Sequence, residues 1–292
     1  MRLILTLVCV PSILFYCFAV FHLIKNRLHA SFHLPFFHLA LVLSCTNILA
    51  YVFNFFASPV PGVSWITCKA CFIESPVYKV LLKGVWFWFE YFRSYVVFLL
   101  SVQTFSATVL PHFHSKVWSN RVCNGLLLTL FFISCSAIYE HLPRPITFLR
   151  FGGIVAGDVV LNSQSMYWFG ILNAVVASAS LIISCGAIIA FLLQKTVPHQ
   201  HRLKKRILLS SIAFSVWNFL YFGEMFGLFF SLFTKNQTLF EGFHCSFLWT
   251  AELRCILDLY AMFLIDSKLR RMLIDRLPLK RVYTVSVQTF FS

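Results

Sequence analysis

The chain has 292 residues, 59% of them hydrophobic and only 12% charged, with a formal net charge of +14. An ordinary soluble domain carries roughly 45–50% apolar and ~25% charged residues, so a water-soluble globule is excluded. Nucleic acid is not the expected partner of the positive charge, because the basic residues sit in short segments beside long apolar runs.

Seven such runs follow one another, at residues 3–24, 34–56, 84–110, 122–138, 166–193, 207–233 and 243–265. Their lengths of 17 to 28 residues suit the ~20 residues that a helix needs to cross a ~30 Å hydrocarbon core. Lipid offers no partner to an open backbone N–H or C=O, and the runs lack the alternation of barrel strands. The expected fold is therefore an all-α membrane protein, a seven-transmembrane helix bundle over 1–265 with a basic tail at 266–292.

The first run is longer than the ~7–15-residue core of a secretory signal and leads into Lys25-Asn26-Arg27 rather than a small-residue cleavage site, so it reads as a retained helix. Between successive runs, Lys and Arg divide 15 to 7 in favour of the side that holds the tail. The positive-inside rule then puts the C-terminus in the cytoplasm and the N-terminus outside, with membrane lipid as the surrounding partner. The sequon Asn236-Gln237-Thr238 falls in a connection assigned to the outside, where glycosylation is chemically available.

Cys68 and Cys71 lie in the first outer connection and Cys245 at the outer mouth of the seventh run, so a disulfide between that connection and Cys245 is open to them. The connection between runs four and five contains β-prone stretches at 146–151 and 154–160 around Gly152-Gly153, which suggests a hairpin lid over the bundle. Residues 266–276 space Leu269, Met272 and Leu273 among basic residues, as an amphipathic helix on the inner leaflet would.

Charges within apolar runs are costly, and each marks a functional hypothesis. Glu90 and Arg93 are three apart on one helical face with Trp86. Glu224 lies in the sixth run, Glu252 in the seventh, and Arg254 and Asp258 are four apart and able to pair along their own helix. An outward-facing pocket would use Glu90, Arg93, Glu224 and Glu252 as polar anchors among Trp86, Trp168, Tyr221 and Trp249, a lining suited to a small organic ligand. The competing reading makes Glu90 with Arg93, and Arg254 with Asp258, simple ion pairs. Lys116, Arg202, Lys204, Lys205 and Arg206 are candidates for coupling to a cytoplasmic partner. The ten histidines form no metal-binding pattern, and no nucleophile, phosphate-binding or dinucleotide motif is present, so neither an enzyme nor a cofactor is expected.

One segment carries a family resemblance. Ser101-Val102-Gln103-Thr104-Phe105-Ser106-Ala107-Thr108-Val109-Leu110-Pro111, followed by His114 and Lys116-Val117-Trp118, resembles the end of the third helix in nematode chemoreceptors of the serpentine receptor class gamma superfamily. Gln103-Thr104 stands where that family carries Asn-Arg. The resemblance implies a plasma-membrane chemoreceptor that binds a small-molecule ligand and signals through a heterotrimeric G protein. The alternatives are a small-solute transporter, which flux measurements would detect, and a ligand-gated channel.

Overall fold

The computed structural model describes residues 2–25, 35–57, 84–139, 149–151, 154–156, 163–193 and 198–234, with scattered residues between 238 and 270. Helix α1 spans Arg2–Lys25, α2 Pro35–Ala57 and α3 Trp86–Val109. A short helix α4, Pro111–Val117, precedes α5, Asn120–Tyr139. Two long helices complete the order, α6 at Ser163–Leu193 and α7 at Pro198–Phe233. The described residues of the 243–265 run are all helical.

Proline sets several of these starts. Pro35, Pro111 and Pro198 each open a helix, where the missing N–H is an orphan donor in any case. At the join of α3 and α4 the chain turns at Leu110, whose N–H still reaches the Ser106 carbonyl. Helix α7 begins nine residues before the apolar run it contains, so Arg202, Lys204, Lys205 and Arg206 lie on its first turns and not in a loop.

Among the described residues, three helices are by length and composition able to cross a membrane, within Pro35–Val52, Gly170–Leu193 and Lys205–Gly227, and α1 adds the shorter apolar stretch Pro11–Lys25. Helix α6 shows how such helices associate. Its buried positions are Asn173, Ala177, Ser180, Ser184, Ala187 and Phe191, alternating steps of four and three residues, whereas Leu172, Val175, Ile182, Ile189 and Leu192 are exposed. Small and hydroxylated residues face protein and large aliphatics face outward, the reverse of a helix in water. Lipid removes the hydrophobic drive to pair helices, so close approach and hydrogen bonds do that work.

Helix α3 is the axis of the bundle, in contact with α2, α5, α6 and α7. It supplies Phe92, Val96, Val97, Leu99 and Leu100 to the main core, which also takes in Tyr16, Leu39 and Leu43. The seventh run lies against α1, where Phe15 stacks on Tyr260 and meets Phe263 edge-on, and the Tyr260 hydroxyl donates to Ser12.

The connection before α6 forms a two-stranded antiparallel hairpin, β1 Leu149–Phe151 with β2 Ile154–Ala156, in the register Phe151 opposite Ile154. The expected hairpin is therefore present, shorter than its β-prone stretches. The turn Gly152-Gly153, Asn236, Cys68, Cys71 and Cys245 lie outside the described residues, as does the tail helix apart from Arg270.

Candidate functional site

Four charged side chains converge inside the bundle, and almost none of their surface is exposed: Glu90 2%, Arg93 1%, Arg254 2% and Asp258 5%. A lone ion at such depth costs at least ~2.5–3.5 kcal/mol on membrane-insertion scales, so the charges must be answered locally. Arg254 Nη1 donates to Glu90 Oε2 at 2.8 Å, and Arg93 Nη1 lies 3.5 Å from the other oxygen, Oε1. Arg254 Nη2 donates to Asn218 Oδ1 on α7. The guanidinium also lies over the Tyr221 ring, 4.3 Å from its centroid, and 5.2 Å from that of Phe222. A planar cation with two separate donor arms suits such a junction, because each arm serves a different helix.

Asp258 belongs to the same cluster by another route. Asn47 Nδ2 on α2 donates to Asp258 Oδ2 at 2.9 Å and lies 3.3 Å from the Tyr16 hydroxyl on α1. Two acids and two arginines therefore balance to zero, and the hydrogen bonds join α1, α2, α3 and α7 to the seventh run. The local pair expected between Arg254 and Asp258 is replaced by contacts across helices: Arg254 goes to Glu90 and Asn218, Asp258 to Asn47.

Two turns further along α3 lies a second polar tier, made only of hydroxyls. Ser184 on α6 sits 3.1 Å from Ser101 on α3, 2.9 Å from Ser215 and 3.3 Å from Ser211, both on α7, and Ser101 and Ser215 are 3.0 Å apart. Ser101 and Ser215 also donate back to the carbonyls of Val97 and Ser211, as buried hydroxyls in apolar helices do.

The structure thus gathers Glu90, Arg93 and Tyr221 at one point. Glu224, one turn beyond Tyr221 on α7, is half-buried, and its Oε1 accepts from Ser246. Its Oε2 is buried with no hydrogen-bond partner among the described residues. Trp86 lies at the start of α3 and Trp168 in the first turns of α6, but their side chains fall outside the described residues, as do Trp249 and Glu252 entirely. Lys116 and Lys205 are exposed and Arg206 half-buried, while the side chains of Arg202 and Lys204 are not among those described. Sequence reasoning overlooked Asn47 and Asn218, although each is an amide within an apolar run, and it did not single out Ser184, Ser211 or Ser215.

At the opposite end of α3, helix α4 folds back so that His114 Nδ1 lies 3.0 Å from Ser106 Oγ and the ring stacks near Trp118, at 6.1 Å between centroids. Ser106 Oγ donates to the Gln103 carbonyl, so it receives the imidazole Nδ1–H. Burial holds the His114 pKa below the usual imidazole range. Above about pH 6.5 the ring is neutral in both folded and unfolded chains and imposes no penalty. As pH falls through that value the unfolded chain takes up the proton first, and stability is lost down to the lower folded pKa. We therefore expect thermal stability in detergent to fall between about pH 7.5 and pH 5.5 more steeply in the parent than in H114Q. Parallel pH profiles for the two would remove this role from His114.

No curated protein matches the chain. Its agreement with the family model is nearly end to end, covering residues 5–277, which include the whole ionic cluster and every helix described above but for the first three residues of α1. The chain is a multi-pass membrane protein that belongs to the family described as serpentine type 7TM GPCR chemoreceptor Srv.

Proposed function

We propose that this seven-transmembrane chemosensory receptor sits in the plasma membrane with its N-terminus outside and takes a small organic ligand in the outer half of the bundle. The ligand carries an ammonium or another hydrogen-bond donor, and the basic first turns of α7, with Lys204, Lys205 and Arg206, engage a heterotrimeric G protein. The observation that carries this reading is Glu224. Glu90 has its carboxylate taken up by Arg254 and Arg93, whereas Glu224 has no cation against it among the described residues and keeps one buried oxygen without a partner. A carboxylate of that kind gains most from a donor brought by a ligand. Tyr91 and Tyr95, stacked at 6.1 Å on α3, add aromatic surface. The kinship with the class gamma superfamily rests on the segment from Phe105 to Trp118, and the G-protein partner rests on that kinship.

The test is a panel of cationic, neutral and anionic small organics applied to cells expressing the chain, with second-messenger and current readouts. We expect the responding compounds to carry N–H or O–H donors, and E224Q to weaken them by about 1–3 kcal/mol at equal surface expression. Responses confined to anions, or an unchanged dose response in E224Q, would remove Glu224 from the ligand site. A current carried by the chain itself would favour the channel alternative.

A further inference from the structure

We infer that Phe243, seated against the backbone of Gly227, sets the size of the cation that reaches Glu224, so that the site takes a primary ammonium and turns away a quaternary one. This rests on the reading of Glu224 as the ligand's anchor and goes further, naming the class of cation and the two residues that select it.

The seam between α7 and the seventh run places these residues. Phe243 meets α7 at Gly227, Ser246 meets it at Glu224, and Arg254 meets it at Tyr221 and Asn218. The two segments therefore run antiparallel, each advance along one matched by a step back along the other. Exposure falls in the same direction. Ser246 is exposed and Glu224 half-buried, but Tyr221 and Arg254 are almost wholly buried, so a group that follows the seam inward stops at Glu224. Glu224 Oε1 is already taken by the Ser246 hydroxyl, which leaves Oε2 for a donor brought from outside.

Gly227 is one turn from Glu224 toward the C-terminus of α7 and on the same side of the helix. A carbon attached there in place of hydrogen would lie 2.5 Å from Phe243 Cε1 and Cζ and 2.8 Å from Cδ1. Carbon atoms in contact keep ~3.5–4.0 Å, so the ring edge occupies the space of the missing side chain and glycine is what admits it. With the ring in place, Glu224 has a wall about 4.5 Å away along α7. An ammonium that bears hydrogens fits beneath it, because a charge-assisted N–H···O bond draws the nitrogen to about 2.7–2.9 Å from the oxygen. A trimethylammonium has no donor, and its methyl groups hold the nitrogen farther from the oxygen, where the ring stands. Aromatic faces, on which quaternary cations are otherwise held, offer no compensation deeper in the seam. Those of Tyr221 and Phe222 carry the Arg254 guanidinium.

The test treats the full-length chain carrying S246C, purified in detergent, with 2-aminoethyl, 2-(trimethylammonio)ethyl and 2-sulfonatoethyl methanethiosulfonate, reagents that differ only in the group at the end of a short tether. Rates at the introduced thiol are read by intact mass after subtracting those of the chain without it, and each is divided by the rate with 2-mercaptoethanol. We expect the primary ammonium to outpace the quaternary one by roughly tenfold or more, the low end of what a pocket gains by excluding a carbon too many. F243A and G227A, each combined with S246C, should bring the two cations close together in rate while both stay ahead of the sulfonate. A preference absent from S246C itself, or one that survives in F243A, overturns the inference. Should G227A fail to give monodisperse protein, F243A carries the comparison alone. The anchor is tested apart, with E224Q: it falls if the cations keep their full advantage over the sulfonate there, whereas the size limit falls only if the preference between the cations ignores Phe243.

Discussion

Replacing Arg254 by methionine is expected to destabilise the chain by about 3–5 kcal/mol, read as a large drop in the thermal midpoint of purified protein. The loss does not come from the ion pair as such, since taking two charges out of water costs about as much as their attraction returns. It comes from what is left behind. The cluster of Glu90, Asp258, Arg93 and Arg254 is neutral, and R254M leaves two buried acids facing one cation, with Asn218 deprived of its donor. The single variant E90Q errs the other way, with two cations and one acid. The double variant E90Q/R254M restores balance through Arg93 and Asp258, so its cost should fall short of the sum of the singles by about 0.5–3 kcal/mol, the range for coupled neighbours. Strict additivity would show that the two residues do not stabilise each other, and R254M within about 0.5 kcal/mol of the parent would place it among ordinary surface changes.

The sequence made the membrane architecture legible because bilayer thickness imposes a length on every helix, and the seven apolar runs carry that length on their face. The segment from Ser101 to Trp118 also led to a serpentine chemoreceptor, and the family model places the chain within that kind under the Srv description. The partners of buried charges were less accessible. Helical spacing tells which residues share a face, so it brought Glu90 to Arg93 and Arg254 to Asp258, but it carries no information on which helix stands opposite. Arg254 reaches α3 and α7 because those helices pack against each other beside the seventh run, which follows from tertiary contacts alone. The serines were hidden for a related reason. Ser184, Ser211 and Ser215 look like small packing residues until three helices bring their hydroxyls together. A usable clue was present in α6, where Ser180 and Ser184 fall on the same stripe as Ala177 and Ala187, opposite the large aliphatics.

The amide at position 47 allows hydrogen bonding to be separated from charge. Asn47 is fully buried on α2, and its Nδ2 serves both Asp258 Oδ2 and the Tyr16 hydroxyl. In N47A the four charges still cancel, and Asp258 loses only a donor, so the expected cost is about 1.5–3 kcal/mol, that of a hydrogen bond to a charged group. In D258N the donor keeps an oxygen to bond, but the cluster becomes cationic, with Arg93 and Arg254 facing Glu90 alone. If neutrality is what governs the cluster, D258N costs more than N47A, and adding R254M to D258N costs less than R254M does in the parent, because Glu90 and Arg93 then remain as a balanced pair. If the hydrogen bond governs, the order reverses and R254M is equally damaging in both backgrounds. The same thermal measurement on N47A, D258N, R254M and D258N/R254M decides between them. The neutral-cluster account does not survive a result in which D258N is the milder single change and the double variant is strictly additive.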